Sequence, residues 1–347
     1  LGPVPAPQAR EEGRDTDAQV EAEADPDDPS GAVIPAGAEP GPEAQELSAP
    51  VPDGWRQLTV LAADDQDLHR RLQEDGPLAA FPRGAAAGDC LHRILERIDF
   101  QLPGDHPETQ RIVMRELARA GVEGDQAGAV GDALDRLRLT PFGGPLGSFC
   151  LDRLSPALRL SELSFDLPLA AESGQLVRAR DLAAVFRRNP GGVFGEAYAA
   201  SLAGLPVASR GFLTGSIDLV FPAEDGDGQR RWWVLDWKSN WIGERDGQGR
   251  AQACAPRHYT PLALQQAMVE HHYPLQAHLY LVALHRYLAW RLPGYSPERD
   301  LGGYAYVFLR GLPGPLPAMS PIPGIVLEQP PLGRILALDG LLREGTP

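Results

Sequence analysis

Two aspartates stand where their residue type is unusual. Asp218 and Asp236 each lie near the end of a segment otherwise rich in Ile, Leu, Val, Phe and Trp. A carboxylate is costly to bury unless it is paired or binds a metal. If the two segments are neighbouring antiparallel strands, both carboxylates come within reach of one cation, and hard oxygen ligands suit Mg²⁺ or Mn²⁺. These aspartates are therefore candidate metal ligands.

Lys238 follows Asp236 by two residues and is the only lysine in the chain, beside 31 arginines. Side chains alternate along a strand, so Asp236 and Lys238 are predicted to share one face. A compact ammonium can rotate and shift its pKa, whereas a guanidinium is planar and always charged. Two carboxylates, a metal and an ammonium suit phosphodiester hydrolysis, since the metal activates water and the ammonium stabilises developing negative charge. For so short a motif, a salt-bridged strand pair is the alternative.

A β-hairpin is predicted to position these residues. Segments 211–221 and 231–238 are β-rich, and AEDGDGQ between them has turn composition. A long polar loop, 242–262, follows the hairpin. Apolar periodicity predicts a helix of about three turns behind Gly88-Asp89, helices at 108–120, 126–138, 179–188, 194–203, 261–271, 274–291 and 333–343, and strands at 158–169 and 303–310. This order predicts an α/β (α+β) fold with a mixed β-sheet flanked by helices.

The N-terminal region differs in composition from the rest. Residues 1–50 hold 12 acidic residues, two arginines and nine prolines, and they account for −10 of the net charge of −15. We therefore predict a disordered, acidic, Pro-rich linker over 1–53, followed by one folded domain over 54–347. Because the chain starts at Leu1, one hypothesis is that the linker joins this domain to an upstream region.

Several classes of protein are excluded by composition. No apolar stretch approaches the roughly 18 residues that span a bilayer, so no membrane association is expected. The sequence contains no basic segment followed by an apolar one of the kind that forms a secretory signal, so none is expected. The three cysteines are odd in number and far apart, which favours a reducing cytoplasm and excludes a disulfide framework or a four-cysteine metal site. With a single lysine at 238, the chain has no phosphate-binding P-loop.

Five segments resemble, in order, the C-terminal nuclease domain of the RecB family of helicase–nucleases, within the PD-(D/E)xK superfamily. They are FPRGAAAGDCLHRILERIDF (81–100), GFLTGSIDLVF (211–221), VLDWKSNW (234–241), QAHLYLVALHRY (276–287) and YAYVFLRG (304–311). The chain departs from the pattern before Asp218, where Ser216-Ile217 replaces proline, and in loop 242–262, which is longer than usual. The resemblance implies a restriction-endonuclease-like fold with its core at about 81–311.

The same resemblance implies roles for individual residues. Asp218 and Asp236 match metal ligands, Lys238 matches the catalytic lysine, and the main-chain carbonyl of Trp237 matches a further ligand. His92 matches a metal-binding helix histidine; without that match, a partly buried helix histidine is the ordinary interpretation. The implied cofactor is Mg²⁺, with Mn²⁺ also compatible.

Gln276 and Tyr280 match the family's Q-x-x-x-Y pair, which lines the site. Their spacing places them on one helical face, where an ordinary polar stripe is the alternative. Glu162 is either an accessory acidic residue or a solvent-facing strand position. Two further groups each allow two interpretations. Four histidines are surface residues or supports behind the site (His271, His272, His278, His285), and four tryptophans suit either base stacking or core packing (Trp232, Trp233, Trp237, Trp241).

The resemblance implies a Mg²⁺-dependent DNA nuclease, acting as exonuclease or endonuclease on strands fed by a helicase, in RecBCD-type double-strand break repair and recombination. Its expected partners are single DNA strands from unwound duplex, RecC- and RecD-like subunits, and an upstream helicase region of the same polypeptide. A catalytically inactive nuclease-fold scaffold is the alternative, although the complete set of candidate residues favours the enzyme. An iron–sulfur nuclease of the AddB type is excluded, because three cysteines cannot supply four thiolates.

Overall fold

The computed structural model describes residues 66–169, 176–206, 208–316 and 321–344. The linker predicted at 1–53 lies outside these described residues. The helices are α1 (Gln66–Gln73), α2 (Ala85–Arg97), α3 (Pro107–Ala120), α4 (Gln126–Leu139), α5 (Ala179–Arg188), α6 (Glu196–Ala203), α7 (Pro261–Glu270), α8 (Tyr273–Arg291), α9 (Pro297–Asp300) and α10 (Leu332–Glu344). The strands are β1 (Leu160–Leu169), β2 (Val177–Arg178), β3 (Ala208–Ser209), β4 (Gly211–Glu224), β5 (Arg230–Lys238), β6 (Leu301–Phe308) and β7 (Ile325–Glu328).

Five of the strands form one mixed sheet in the order β1-β4-β5-β6-β7. Strands β5 and β6 are parallel, and the other neighbouring pairs are antiparallel. A parallel pair requires a crossover connection, which α7 and α8 provide between β5 and β6. The predicted mixed sheet flanked by helices is confirmed. Strands β2 and β3 form a separate, short antiparallel pair.

Helices cover both faces of this sheet. On β5, Trp233, Leu235 and Trp237 face a core built with α2, α3 and α4. On β6, Tyr304 and Tyr306 face a second core built with α5, α6, α8 and α10. Alternation along each strand divides the side chains between the two cores. Trp233 and Trp237 are therefore core residues and are not available for base stacking.

The sheet extends one strand further than predicted. The sequence analysis placed the last strand at 303–310, but β7 pairs antiparallel with β6 and closes that edge. Strand β7 has four residues and lies between proline-containing segments, so it is too short to show a clear alternation. Among the described residues, no helix is both long and apolar enough to cross a membrane.

Candidate active site

Strands β4 and β5 bring the two aspartates and the lysine to one end of the hairpin. Leu219 and Leu235 form the last backbone pair there, and Asp218 and Asp236 are the next residues on each side. Asp236 and Lys238 are completely buried, and Asp218 is 5% exposed. Lys238 Nζ lies 2.9 Å from Asp236 Oδ2, so the two side chains share a face as the alternation predicts.

His92 reaches this end of the hairpin from α2. Its Nδ1 lies 3.4 Å from Asp218 Oδ1, and its Nε2 lies 3.1 Å from the main-chain oxygen of Trp237. The second carboxylate oxygen of Asp218 accepts a hydrogen bond from the Trp237 main-chain N–H at 2.7 Å. The His92 imidazole thus contacts both the carboxylate and the carbonyl that the resemblance implies as ligands.

Glu162 joins this group from β1. Its neighbours in β1 pair with Leu219 and Ile217, so Glu162 lies across from Asp218. Ligand atoms of His92, Glu162 and Asp218 all lie within 4.8 Å of one another. Glu162 has a φ of 53°, and such a left-handed backbone costs about 1–3 kcal/mol for a non-glycine residue. The side chain is exposed and accepts a hydrogen bond from the Ser216 hydroxyl, so it lies at the solvent side of the site.

The charges of these residues create a strongly negative environment. Burial alone would lower the pKa of His92, but attraction and hydrogen bonding to Asp218 raise it to about 9. Desolvation and the charge of Asp218 raise the pKa of Glu162, against the effect of the Ser216 hydroxyl. In both shifts the negative charge of Asp218 favours the protonated form of its neighbour, so this carboxylate attracts positive charge to the site. Carboxylate, imidazole and carbonyl donors are compatible with Mg²⁺ or Mn²⁺, so this donor set fits a divalent cation.

Two tyrosine rings lie against the ammonium of Lys238. Its Nζ is 3.9 Å from the ring centroid of Tyr273 and 5.5 Å from that of Tyr306. The two rings stack on each other, with centroids 5.5 Å apart. Ring faces attract a cation, and Asp236 balances its charge. Neither tyrosine was predicted from the sequence, although Tyr273 precedes Gln276 by about one helical turn and Tyr306 is the strand partner of Asp236.

The predicted pair on α8 belongs to the same assembly. Gln276 donates from Nε2 to the Tyr280 hydroxyl at 3.0 Å, and the Tyr306 hydroxyl donates to Gln276 Oε1 at 2.7 Å. Gln276 and Tyr280 are both buried, so this polar pair faces the interior and not solvent. Tyr306 therefore connects this pair with Lys238.

Arg310 joins two segments at the edge of the site. It follows β6, is 3% exposed, and donates from Nε to the Ser239 carbonyl at 2.9 Å. Its other nitrogens donate to the carbonyls of Leu78, Phe81 and Pro82. The segment before α2 is thereby held against the chain that leaves Lys238.

Among the described residues, the four histidines form no metal cluster: His271 and His272 lie in the turn between α7 and α8, and His278 and His285 lie in α8. His278 is not a surface residue, because it is completely buried. Its Nδ1 lies 2.6 Å from the Pro274 carbonyl, and its Nε2 lies 3.2 Å from Arg334. The polar contacts of His278 hold the core together.

Comparison with known proteins identifies RecB subunits as relatives. The chain is 32% identical over 281 residues to the RecBCD enzyme subunit RecB of Mycolicibacterium smegmatis, an alignment that covers 78% of this chain and 25% of that protein. It is 34% identical over 285 residues to the RecB subunit of Mycobacterium tuberculosis strain CDC 1551, covering 78% and 24%. It is 32% identical over 314 residues to that of Escherichia coli K12, covering 83% and 23%. The chain therefore spans about a quarter of the length of these curated relatives. No family model matches it.

Proposed function

This chain belongs to the RecB family, whose members it matches over about a quarter of their length, and we propose that it is a metal-dependent DNA nuclease of the RecBCD type. The observation that carries the proposal is the meeting of His92, Asp218, Asp236 and Lys238 at one end of the β4–β5 hairpin. The side chains of Asp218, Asp236 and Lys238 are of types that are ordinarily charged at neutral pH, and all four residues are buried. Such a concentration of charge is expensive to build and marks a functional site.

Mg²⁺ is the proposed cofactor, and Mn²⁺ is also compatible with the donors. The residues that would hold it are His92, Asp218, Asp236 and the main-chain carbonyl of Trp237. When bound, such a cation supplies activated water and neutralises negative charge on the phosphodiester oxygens. Glu162 is near enough to His92 and Asp218 to contribute from the solvent side.

The protein's own groups have separate tasks in this proposal. The Lys238 ammonium stabilises the negative charge that develops on the phosphate during cleavage. Tyr273 and Tyr306 hold that ammonium in place through their ring faces, and Asp236 keeps it charged. Gln276 and Tyr280 line the site beside them and help to orient the substrate strand.

We further propose that the substrate is single-stranded DNA released by a helicase region of the same polypeptide, with RecC- and RecD-like subunits as partners. The support is the similarity to RecB proteins, which are subunits of the RecBCD enzyme. The 297 residues after the acidic N-terminal segment carry a net charge of −5, which does not favour tight binding to DNA. A nuclease tethered to a motor does not need such binding, because the motor delivers the strand at high local concentration.

Cleavage of linear, end-labelled single-stranded DNA tests the proposal. We expect the chain to cleave it with Mg²⁺ or Mn²⁺, to lose this activity with a chelator, and to regain it when either cation is restored. Asp236→Ala should abolish cleavage, because a divalent site loses a buried carboxylate. Asp166→Ala is the matched control, since Asp166 is an exposed carboxylate on β1 of the same sheet. DNA binding without cleavage under any of these conditions would favour the inactive scaffold instead.

A further inference from the structure

Trp241 differs from the tryptophans of the sheet core. It is partly exposed and follows Lys238 by three residues, where the chain leaves β5. Its indole Nε1 donates to the Gln252 carbonyl at 2.8 Å. A side chain at Gly243 would come within 2.7 Å of the ring, so the loop packs closely on it. The indole is thus fixed at the surface beside the candidate active site.

Two exposed arginines lie against this indole. The guanidinium carbons of Arg83 and Arg245 are each 5.3 Å from the Trp241 ring centroid. Arg245 also donates to the Gly249 carbonyl at 3.0 Å. No carboxylate in the described part of the chain forms an ion pair with Arg83 or Arg245, whereas Arg250 in the same loop pairs with Asp246 at 2.9 Å.

The position of this group follows from the contacts of Arg310. Arg310 holds the carbonyls of Phe81 and Pro82 and the carbonyl of Ser239 together. Arg83 and Trp241 therefore extend from two segments that are joined next to Lys238. Helix α2, which begins two residues after Arg83, carries His92. The arginine pair accordingly lies at the edge of the candidate active site.

We propose that Arg83, Trp241 and Arg245 bind the sugar–phosphate backbone of the DNA strand next to the position of cleavage. This inference rests on the proposed nuclease function and adds a substrate contact to it. Guanidinium groups bind phosphate oxygens through paired N–H donors, and an aromatic face holds such groups in place. Two like charges beside one ring repel each other, and an anionic ligand between them relieves this repulsion.

The test is a double variant, Arg83→Gln with Arg245→Gln, measured for cleavage and for binding. In cleavage of single-stranded DNA, we expect KM to rise about tenfold while kcat changes less than twofold. Binding of a labelled oligothymidylate is measured with a chelator present. The plot of log affinity against log salt has a negative slope, and its magnitude should decrease by about 1.4 in the variant, since each phosphate contact on a single strand contributes about 0.7. A second pair, Arg83→Lys with Arg245→Lys, keeps the charges and should restore most of the slope.

The matched control is Arg291→Gln. Arg291 lies 4.9 Å over the exposed ring of Trp290, which is the same kind of contact at the far end of α8. Its removal should leave KM, kcat and the salt slope unchanged. If the wild type cleaves DNA but the glutamine pair keeps its KM and salt slope, the surface is wrong and the proposed function stands. If the wild type does not cleave DNA at all, the proposed function is wrong, and an unchanged salt slope in the binding assay would independently refute the surface.

Discussion

Lys238 and Arg334 are both completely buried cations on the same side of the sheet, yet their surroundings differ. Arg334 donates to main-chain carbonyls of Asn189, Gly191 and Phe194, and it contacts His278 Nε2 at 3.2 Å. Lys238 instead lies 2.9 Å from a carboxylate and faces two tyrosine rings, as described above. One cation therefore binds the backbone of a loop, and the other lies among the side chains of the candidate active site.

This difference shows what each cation type can do when it is buried. The guanidinium has five donors in a rigid plane, and at Arg334 they join the loop after α5 to helix α10. A compact ammonium has no such fixed plane and can follow a charge that develops on a reacting group. If arginine is excluded only where a cation must follow a developing charge, a chain with 31 arginines and one lysine is explained.

Among the variants that test this difference between the two cations, Lys238→Arg should have the largest effect. We expect kcat for cleavage of single-stranded DNA to fall about 100-fold to 1,000-fold, the range for loss of a positioned group that stabilises transition-state charge. The guanidinium is planar and larger than the ammonium, which lies 2.9 Å from Asp236 Oδ2 and 3.9 Å from the Tyr273 ring centroid, so the larger group would have to displace these neighbours. Steady-state cleavage measures the change, with oligonucleotide binding as the check that the site still forms. A variant with full kcat would show that the lone lysine has no special chemistry.

The reciprocal change, Arg334→Lys, should affect stability and leave chemistry intact. An ammonium cannot reach all the carbonyls of the loop after α5, so we expect the free energy of unfolding in urea to fall by about 3 kcal/mol. Because Arg334 contacts none of the candidate catalytic residues, kcat of the folded variant should stay within twofold of the wild type. A large loss of kcat with unchanged stability would mean that the two buried cations do not have separate tasks.

Sequence patterns predicted the elements and the residues that short motifs contain. The hairpin of β4 and β5 was predicted because its turn composition and β-rich segments are local. The placement of Lys238 beside Asp236 followed from strand alternation alone. Helix periodicity gave α3 and α4 to within one residue at each end.

Contacts between distant segments could not be predicted in this way. Tyr306 reaches Gln276 and Lys238 only because β6 lies parallel to β5 in a particular register. Burial of His278 depends on α10, which places Arg334, 56 residues further along the chain, beside it. The contact of the Arg83 guanidinium with the Trp241 ring likewise depends on Arg310, which lies in a third segment of the chain. These contacts depend on tertiary packing, which no local pattern encodes.

The pH dependence of stability tests whether His278 stays neutral beside the buried Arg334 guanidinium. Burial lowers its pKa to about 3, reinforced by the charge of Arg334 and opposed by the hydrogen bond with the Pro274 carbonyl. Between this value and the ordinary pKa of about 6.5, the unfolded chain binds a proton that the folded chain excludes. The contribution of His278 to the free energy of unfolding is therefore fully present above about pH 6.5. Below that pH, the free energy of unfolding falls by up to about 1.4 kcal/mol per pH unit.

Replacing His278 with glutamine should remove this contribution. Between pH 7.5 and pH 5, the wild type should lose about 2 kcal/mol more stability than His278→Gln, as measured by urea unfolding at both pH values. The remaining histidines are common to both proteins, so their contributions cancel in the difference. Equal pH dependence in the two proteins would show that a proton can be accommodated beside Arg334.

Substitution of Tyr273 should give the smallest effect, and it tests how the Lys238 ammonium is held. Tyr273→Leu removes the ring whose centroid lies 3.9 Å from Lys238 Nζ, whereas Tyr273→Phe keeps the ring and removes the hydroxyl, which donates to Asn240 Oδ1 at 3.3 Å. A cation–π contact of about 1 kcal/mol corresponds to a roughly fivefold fall in kcat for the leucine variant. The phenylalanine variant should recover most of that loss, with KM similar in both. If phenylalanine and leucine reduce kcat equally, the hydroxyl and not the ring face positions this part of the site, and Lys238 is held chiefly by Asp236.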